Sequence, residues 1–433
     1  MLAATVQRLL GGWSLLVIVA LAVASATAPV LAQSTTAPAQ GGAPTAIAFS
    51  GSAAKAQVQA LAGQIGSRPA GSANYDRAVQ YASDQLRQWG YQPMLQTFPV
   101  QTYDDRGSQL DVTSGGDLHV AADTLMYSAA GQLDGPLVAA GSGRAEDFAA
   151  IDARGKVALV KRGELRFSDK VANAASAGAL GIAIYNDSAG RIQGSLVEPS
   201  PIPAVTIAGD SGQQLLDLLA AGPVTVRLGV DASIEQRAAT NVVAELPSSR
   251  ADPATVVFGG HLDSVPAGPG ANDNGSGSAV VLELAHTLAQ RDASQRPFTV
   301  RFILFGAEEL GLYGSRNYVQ GLSDADRHAI VAMINLDMVG VGDAWRFGGS
   351  DDLVQLALGA ANDLGVRALP LRGQLSGASD HASFLDAGIP AVFLYRVEDP
   401  NYHTAGDRPE LVDPDALGQA GTIALSILDG LSS

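Results

Sequence analysis

Residues 299–311 read Thr299-Val300-Arg301-Phe302-Ile303-Leu304-Phe305-Gly306-Ala307-Glu308-Glu309-Leu310-Gly311, or "TVRFILFGAEELG". The first seven form a β-branched and aromatic run of strand length, and the run ends on two adjacent carboxylates. Burying even one unpaired carboxylate costs on the order of several kcal/mol, so Glu308 and Glu309 at the end of a core strand call for a cation or a proton. That pairing decides how the rest of the chain is read.

Working outward, Thr255 to Gly260 and Ala329 to Met338 also read as strands and Ser278 to Gln290 as a helix, an alternation that sets in after Thr240 to Leu246. The alternation predicts an α/β fold with a mostly parallel central sheet flanked by helices, in which ligands bind at the carboxyl ends of the strands. Upstream, Ala78, Val79, Ala82, Leu86 and Trp89 have helical spacing within Tyr75 to Gly90, and a strand is expected near Gln92 to Val100. Between these parts, Gly155 to Val160, Phe167 to Ala177 and Gly181 to Asn186 read as strand, helix and strand, with no histidine among them. This section is expected to be a smaller α+β domain inserted into the larger one.

The expected layout is a leader over 1–32, a linker over 33–51, a first part of the main domain over 52–104, an insert over 105–238 and a second part over 239–433. The leader reading rests on Arg8, the apolar run Leu15 to Ala24, and the small-residue site Val30-Leu31-Ala32. An uncleaved membrane anchor is the other reading of that run, but it falls short of the roughly 20 residues a span needs. Export to a secreted or periplasmic location is expected, with no stable membrane insertion once the leader is removed. The chain has no cysteine, so thiolate catalysis and thiolate metal sites are excluded. A formal net charge of −16 argues against a nucleic-acid partner, which would need clustered Lys and Arg.

Metal-type ligands cluster in five segments: Gly260-His261-Leu262-Asp263, Ala271-Asn272-Asp273-Asn274, Ala307-Glu308-Glu309, Asn335-Leu336-Asp337-Met338 and Asn401-Tyr402-His403-Thr404. Imidazole nitrogen and carboxylate oxygen suit zinc and harder divalent ions alike. Asp273 can bridge a pair of ions completed by the other ligands, which leaves Glu308 as the base that takes a proton from metal-activated water. Each segment alone has an ordinary reading, as a structural histidine, a solvated Glu pair or a turn aspartate. Their joint occurrence at predicted strand ends favours the chemical one.

With these residues in place, the sequence resembles the secreted zinc aminopeptidases of metallopeptidase family 28. The resemblance is carried by "GGHLDSVPAGPGANDNGSGSA" (259–279), "FGAEELGLYGS" (305–315), "INLDMVG" (334–340), "SDHASF" (379–384) and "NYHTAGD" (401–407), and Arg68-Pro69-Ala70-Gly71-Ser72 looks like the family's opening motif. It implies two Zn2+ per chain, one held by His261 and Asp337, the other by Glu309 and His403, with Asp273 bridging. It also implies that Glu308 is the general base, that Asp263 orients His261, and that Tyr402 steadies the oxyanion. The section Gly155 to Asn186, with "IPAVTI" at 202–207, resembles a protease-associated domain, which is expected to cover the active-site entrance or affect substrate choice, a structural appendage being the other reading.

Two positions depart from the family pattern: Asn274 where a second Asp often follows the bridging one, and Ala378 where some relatives place Arg. The expected activity is removal of N-terminal residues, preferentially apolar ones, from peptides. A carboxypeptidase of the same family and a noncatalytic receptor-like ectodomain are the alternatives; the first needs a cationic pocket, the second lost ligands. Gly275-Ser276-Gly277-Ser278 is not a nucleotide loop, because Val280 stands where the third glycine of G-x-G-x-x-G belongs.

Overall fold

The computed structural model describes residues 48–115, 118–196, 198–251, 253–371 and 379–432. The expected leader, most of the linker and Ala378 lie outside these residues. The strands are β1 (Met94–Val112), β2 (Leu118–Val120), β3 (Ala122–Thr124), β4 (Gly131–Ala139), β5 (Val157–Lys161), β6 (Gly181–Tyr185), β7 (Ala204–Ile207) and β8 (Thr225–Leu246). They continue as β9 (Thr255–His261), β10 (Thr299–Phe305), β11 (Ile330–Leu336), β12 (Ala344–Gly349), β13 (Ala368–Pro370) and β14 (Ala391–Val397).

At the centre, β10, β9, β11 and β14 lie side by side and parallel, with β8 antiparallel to β10 and β12 antiparallel to β14. Side chains alternate between two cores, as the period of a strand requires. Val256, Phe258, Phe302, Leu304, Ile334 and Leu336 enter one core, whereas Val257, Ile303, Phe305 and Met333 enter the other. The first face is covered by Gly277–Ala289, with Gly51–Val58 and Pro414–Gly430 packed on it. Tyr313–Gln320 and His381–Asp386 pack together on the second face. Burial on both faces explains why β10 reads as a continuous apolar run rather than an alternating one.

The helix Gly277–Ala289 starts against the end of β11 so closely that a Cβ on Gly277 would collide with the Leu336 carbonyl and with Asn274 Oδ1. Asn274 fixes the junction: its amide donates to Leu336 O at 2.9 Å and its carbonyl accepts from Gly277 N at 2.8 Å. A carboxylate has no donor for the first of these bonds, which gives the departure from the family pattern a physical reason.

The inserted section forms parallel pairs β4–β5, β5–β6 and β6–β7, with its own apolar clusters. It joins the central sheet through a two-stranded ribbon in which β1 and β8 pair antiparallel from Met94↔Val243 to Val112↔Val226. The strand expected to end near Val100 therefore runs on to Val112, across the expected border at 104/105. Sequence periodicity misses this because the ribbon's middle is exposed on both faces over residues such as Asp104, Asp105 and Arg106, so no apolar alternation marks it. The strand expected over Ala329 to Met338 is shorter as well: Ala329 ends a helical turn, and Asp337 and Met338 have already left the sheet.

Candidate active site

His261 closes β9, Glu308 and Glu309 follow β10, Asp337 follows β11, and Tyr402 and His403 lie on the segment after β14. Four adjacent parallel strands thus deliver these side chains to one edge, and Asp273 joins them from the segment ahead of Gly277–Ala289. Ala307, Met338 and His403 have φ of +57°, +55° and +56°, a region that costs non-glycine residues about 1–3 kcal/mol each. The strain sits where the chain turns its ligand-type residues inward.

Asp273 has one oxygen on each histidine: Oδ1 is 3.2 Å from His261 Nε2, and Oδ2 is 3.1 Å from His403 Nε2. Asp337 Oδ1 is 3.5 Å from His261 Nε2, and Glu309 Oε2 is 3.0 Å from His403 Nε2. Ligand atoms on a tetrahedral zinc with bonds of about 2.0–2.1 Å stand about 3.3 Å apart, so these separations are compatible with ligation of a zinc ion. Asp337 Oδ1 and Glu309 Oε1 are also buried without a hydrogen-bond partner, as oxygens reserved for a cation would be. The all-nitrogen-and-oxygen donor set fits zinc. Glu308 Oε2 stands 3.9 Å from His261 Nε2, close enough to join the group without being its shortest contact.

Electrostatics point the same way. Burial pushes the Glu308 carboxyl well above the usual carboxylate range, with Glu309, Asp380 and Asp337 adding to the push. Burial and the neighbouring Asp273 raise Glu309 to about 7. Burial also acts to raise Asp273, but hydrogen bonds from His261 and His403 outweigh it and hold that carboxyl well below its ordinary range. Burial would lower His403, yet contacts with Asp273 and Glu309 raise it to about 10. The carboxylates compete for too little positive charge, and a divalent cation relieves that competition.

Around this group, Asp263 is fully buried, with Oδ1 3.6 Å from His261 Nδ1. Its two oxygens accept the Glu308 and Glu309 backbone N–H groups at 3.1 and 3.3 Å. Asp407 does the same for the bridging segment, accepting Asn272 N–H at 2.7 Å and Asp273 N–H at 3.0 Å, and burial pushes it up to about 6. Ser379 donates to Asp337 Oδ2 at 2.7 Å. Arg68, Ser379 and Asp407 lie in motif segments visible in the sequence, but the partners of their polar atoms are set by tertiary contact alone.

A cavity of about 380 Å³ opens on the site, lined by Asp273, Glu308, Glu309 and Asp337 together with Met338, Phe393, Tyr395, Glu398, Asp399 and Tyr402. None of these lining residues is Lys or Arg. The Tyr402 ring is half exposed and stacks on His403 with centroids 3.8 Å apart. Burial and the carboxylates of Asp273 and Glu309 hold its hydroxyl proton well above the ordinary range, so it stays a donor. Phe393 and Tyr395 have no motif of their own; their alternation along β14 is the one signal the sequence carries for them.

Comparison with known proteins is consistent with this geometry. The sequence profile of Peptidase family M28 matches residues 241–428, and that of the PA domain matches 133–215. Aminopeptidase YwaD of Bacillus subtilis (strain 168) is 32% identical over 406 residues, covering 87% of this chain and 83% of that protein. Probable leucine aminopeptidase 2 of Aspergillus oryzae is 33% identical over 378 residues, covering 78% and 74%. Among solved structures, an aminopeptidase from Aneurinibacillus sp. strain AM-1 superposes with a TM-score of 0.80 at 31% identity, covering 88% of this chain and 93% of that one. A zinc aminopeptidase from Bacillus subtilis gives 0.72 at 30% identity, covering 88% and 95%. With its ligand-type residues gathered at the ends of parallel strands and relatives matched along most of its length, this chain belongs to peptidase family M28 and carries an inserted PA domain.

Proposed function

We propose that the protein is an exported dizinc aminopeptidase that hydrolyses N-terminal, preferentially apolar, residues from peptides. The observation that carries this reading is the cavity itself: it is lined by carboxylates and apolar rings, and no Lys or Arg stands among its described lining residues. A peptide's terminal ammonium is attracted there, whereas the terminal carboxylate needed for carboxypeptidase action meets no Lys or Arg among the described lining residues. Met338, Phe393 and Tyr395 offer an apolar wall for the first side chain.

One zinc would be held by His261 and Asp337 and the other by Glu309 and His403, with Asp273 shared. Bound there, zinc supplies Lewis acidity toward the scissile carbonyl and lowers the pKa of water toward about 7. Glu308, with its carboxyl in the cavity wall, accepts the proton of the attacking water and passes it to the leaving amine. The Tyr402 hydroxyl, protonated and in the same wall, donates to the developing oxyanion. Asp263 holds the His261 ring through its backbone carbonyl, 3.2 Å from Nδ1 with the carboxylate close behind, and its two carboxylate oxygens, by accepting the Glu308 and Glu309 amides, set the direction in which those residues project. The leader over 1–32 accounts for export, and among the described residues no helix is long and apolar enough to cross a membrane.

The decisive experiment compares leucyl anilide with its N-acetylated analogue, before and after chelation and zinc return. Cleavage of the free-amine substrate alone, lost with chelator and restored by zinc, is expected. If metal-loaded protein cleaves neither, the aminopeptidase reading fails.

A further inference from the structure

Arg68 is fully buried, and its guanidinium donates to the backbone carbonyls of Gly66, Leu262, Pro269 and Gly270. Its guanidinium is spread across backbone carbonyls: Nε donates to Leu262 O at 2.7 Å, Nη1 to Pro269 O at 2.5 Å and Nη2 to Gly270 O at 2.8 Å. Its own backbone is laced to Ser264, with Arg68 N–H on Ser264 Oγ at 3.1 Å and Ser264 N–H on Arg68 O at 3.3 Å. Leu262 is the residue between His261 and Asp263, and Gly270 lies three residues before Asp273. One side chain therefore spans the two segments whose ligand-type residues must meet.

The bridging segment is gripped from its other side as well. Asp407, four residues beyond His403, accepts the Asn272 and Asp273 amides, while its own carbonyl accepts Ala271 N–H at 3.4 Å. Gly270, at φ +59°, turns the chain between the two grips, and a Cβ there would press on Ser264 and on the Asp273 carbonyl. Residues 269–273 are thus fastened to the His261 segment by Arg68 and to the His403 segment by Asp407. Asp273 must present one oxygen to each histidine, so its placement relative to both is what these grips determine.

We propose that Arg68 and Asp407 are positioning residues that act through the 269–273 segment to set Asp273 across both metal half-sites, so that losing either grip weakens the shared site without removing a ligand. This inference rests on the two-zinc reading above. A planar guanidinium reaches these carbonyls in fixed directions, which a lysine ammonium cannot reproduce. An Asn at 407 would turn an NH2 toward one of the two amides and lose that bond.

The test counts and ranks zinc sites by competition with a chromogenic chelator in purified wild type, Arg68→Lys and Asp407→Asn, alongside kcat and KM on leucyl anilide. Perturbing the groups that orient ligands typically costs about 10–100-fold in metal affinity, and a loss of that size is expected for the weaker zinc of each variant. A fall in kcat with little change in KM should accompany it, reversed by excess zinc. A packing role would lower the melting temperature in chelator but leave the zinc titration where it was. Two sites of wild-type affinity in both variants would overturn the inference. Should Arg68→Lys fail to fold, Asp407→Asn decides the matter on its own. Wild type that binds no zinc would sink the metal reading and this inference together.

Discussion

At the scale of single residues, Glu308 and Glu309 are neighbours with different surroundings. Glu309 has Oε2 on His403 and an unpartnered Oε1, as a ligand would, whereas Glu308 approaches His261 at 3.9 Å and is otherwise among carboxylates. The amide bonds to Asp263 fix both backbones, so a change confined to the Glu308 carboxyl leaves the turn intact. Glu308→Gln is therefore expected to retain zinc while kcat drops about 10²–10⁴-fold, the usual contribution of a positioned acid–base group. Zinc content by emission spectroscopy and steady-state rates on leucyl anilide check this, and a variant with near wild-type turnover would remove Glu308 from the role of base.

At the scale of elements, the strand-end logic of the sequence works because β9, β10 and β11 are buried on both faces and leave a continuous apolar record that stops where the polar ligands begin. The ribbon of β1 and β8 leaves no such record, since Gln, Thr, Asp and Arg dominate its exposed middle. The grips of Arg68 and Asp407 were illegible for another reason: Arg68 holds backbone carbonyls and Asp407 backbone N–H groups more than a hundred residues away, and backbone groups have no sequence signature. Asn274 was visible as a departure but not as a joint. Because it gives one bond to β11 and takes one from Gly277–Ala289, Asn274→Asp replaces the donor facing Leu336 O with a second acceptor. The expected loss is about 1–3 kcal/mol of stability, read as a lower urea midpoint for the zinc-loaded variant. An unchanged midpoint would show that the junction does not depend on this amide.

For the whole molecule, the chain's charge and its site are connected. The formal net charge is −16, and at the site the carboxylates of Asp263, Asp273, Glu308, Glu309, Asp337, Asp380 and Asp407 crowd together, with Arg68, His261 and His403 among the described residues that offset them. No disulfide can compensate for that repulsion in a chain without cysteine. Two zinc ions would each stabilise the folded state through mass action, by about 4 kcal/mol per site when free zinc exceeds its Kd a thousandfold. Chelation is accordingly expected to lower the thermal midpoint by roughly 5–15 °C and zinc return to restore it. Glu308→Gln should show the same zinc-dependent shift, because it keeps every proposed ligand, whereas Asp273→Ala should lose most of it. Calorimetry on the three proteins separates the contributions: a wild-type midpoint indifferent to both chelator and zinc would mean that the acidic cluster is balanced by something other than metal.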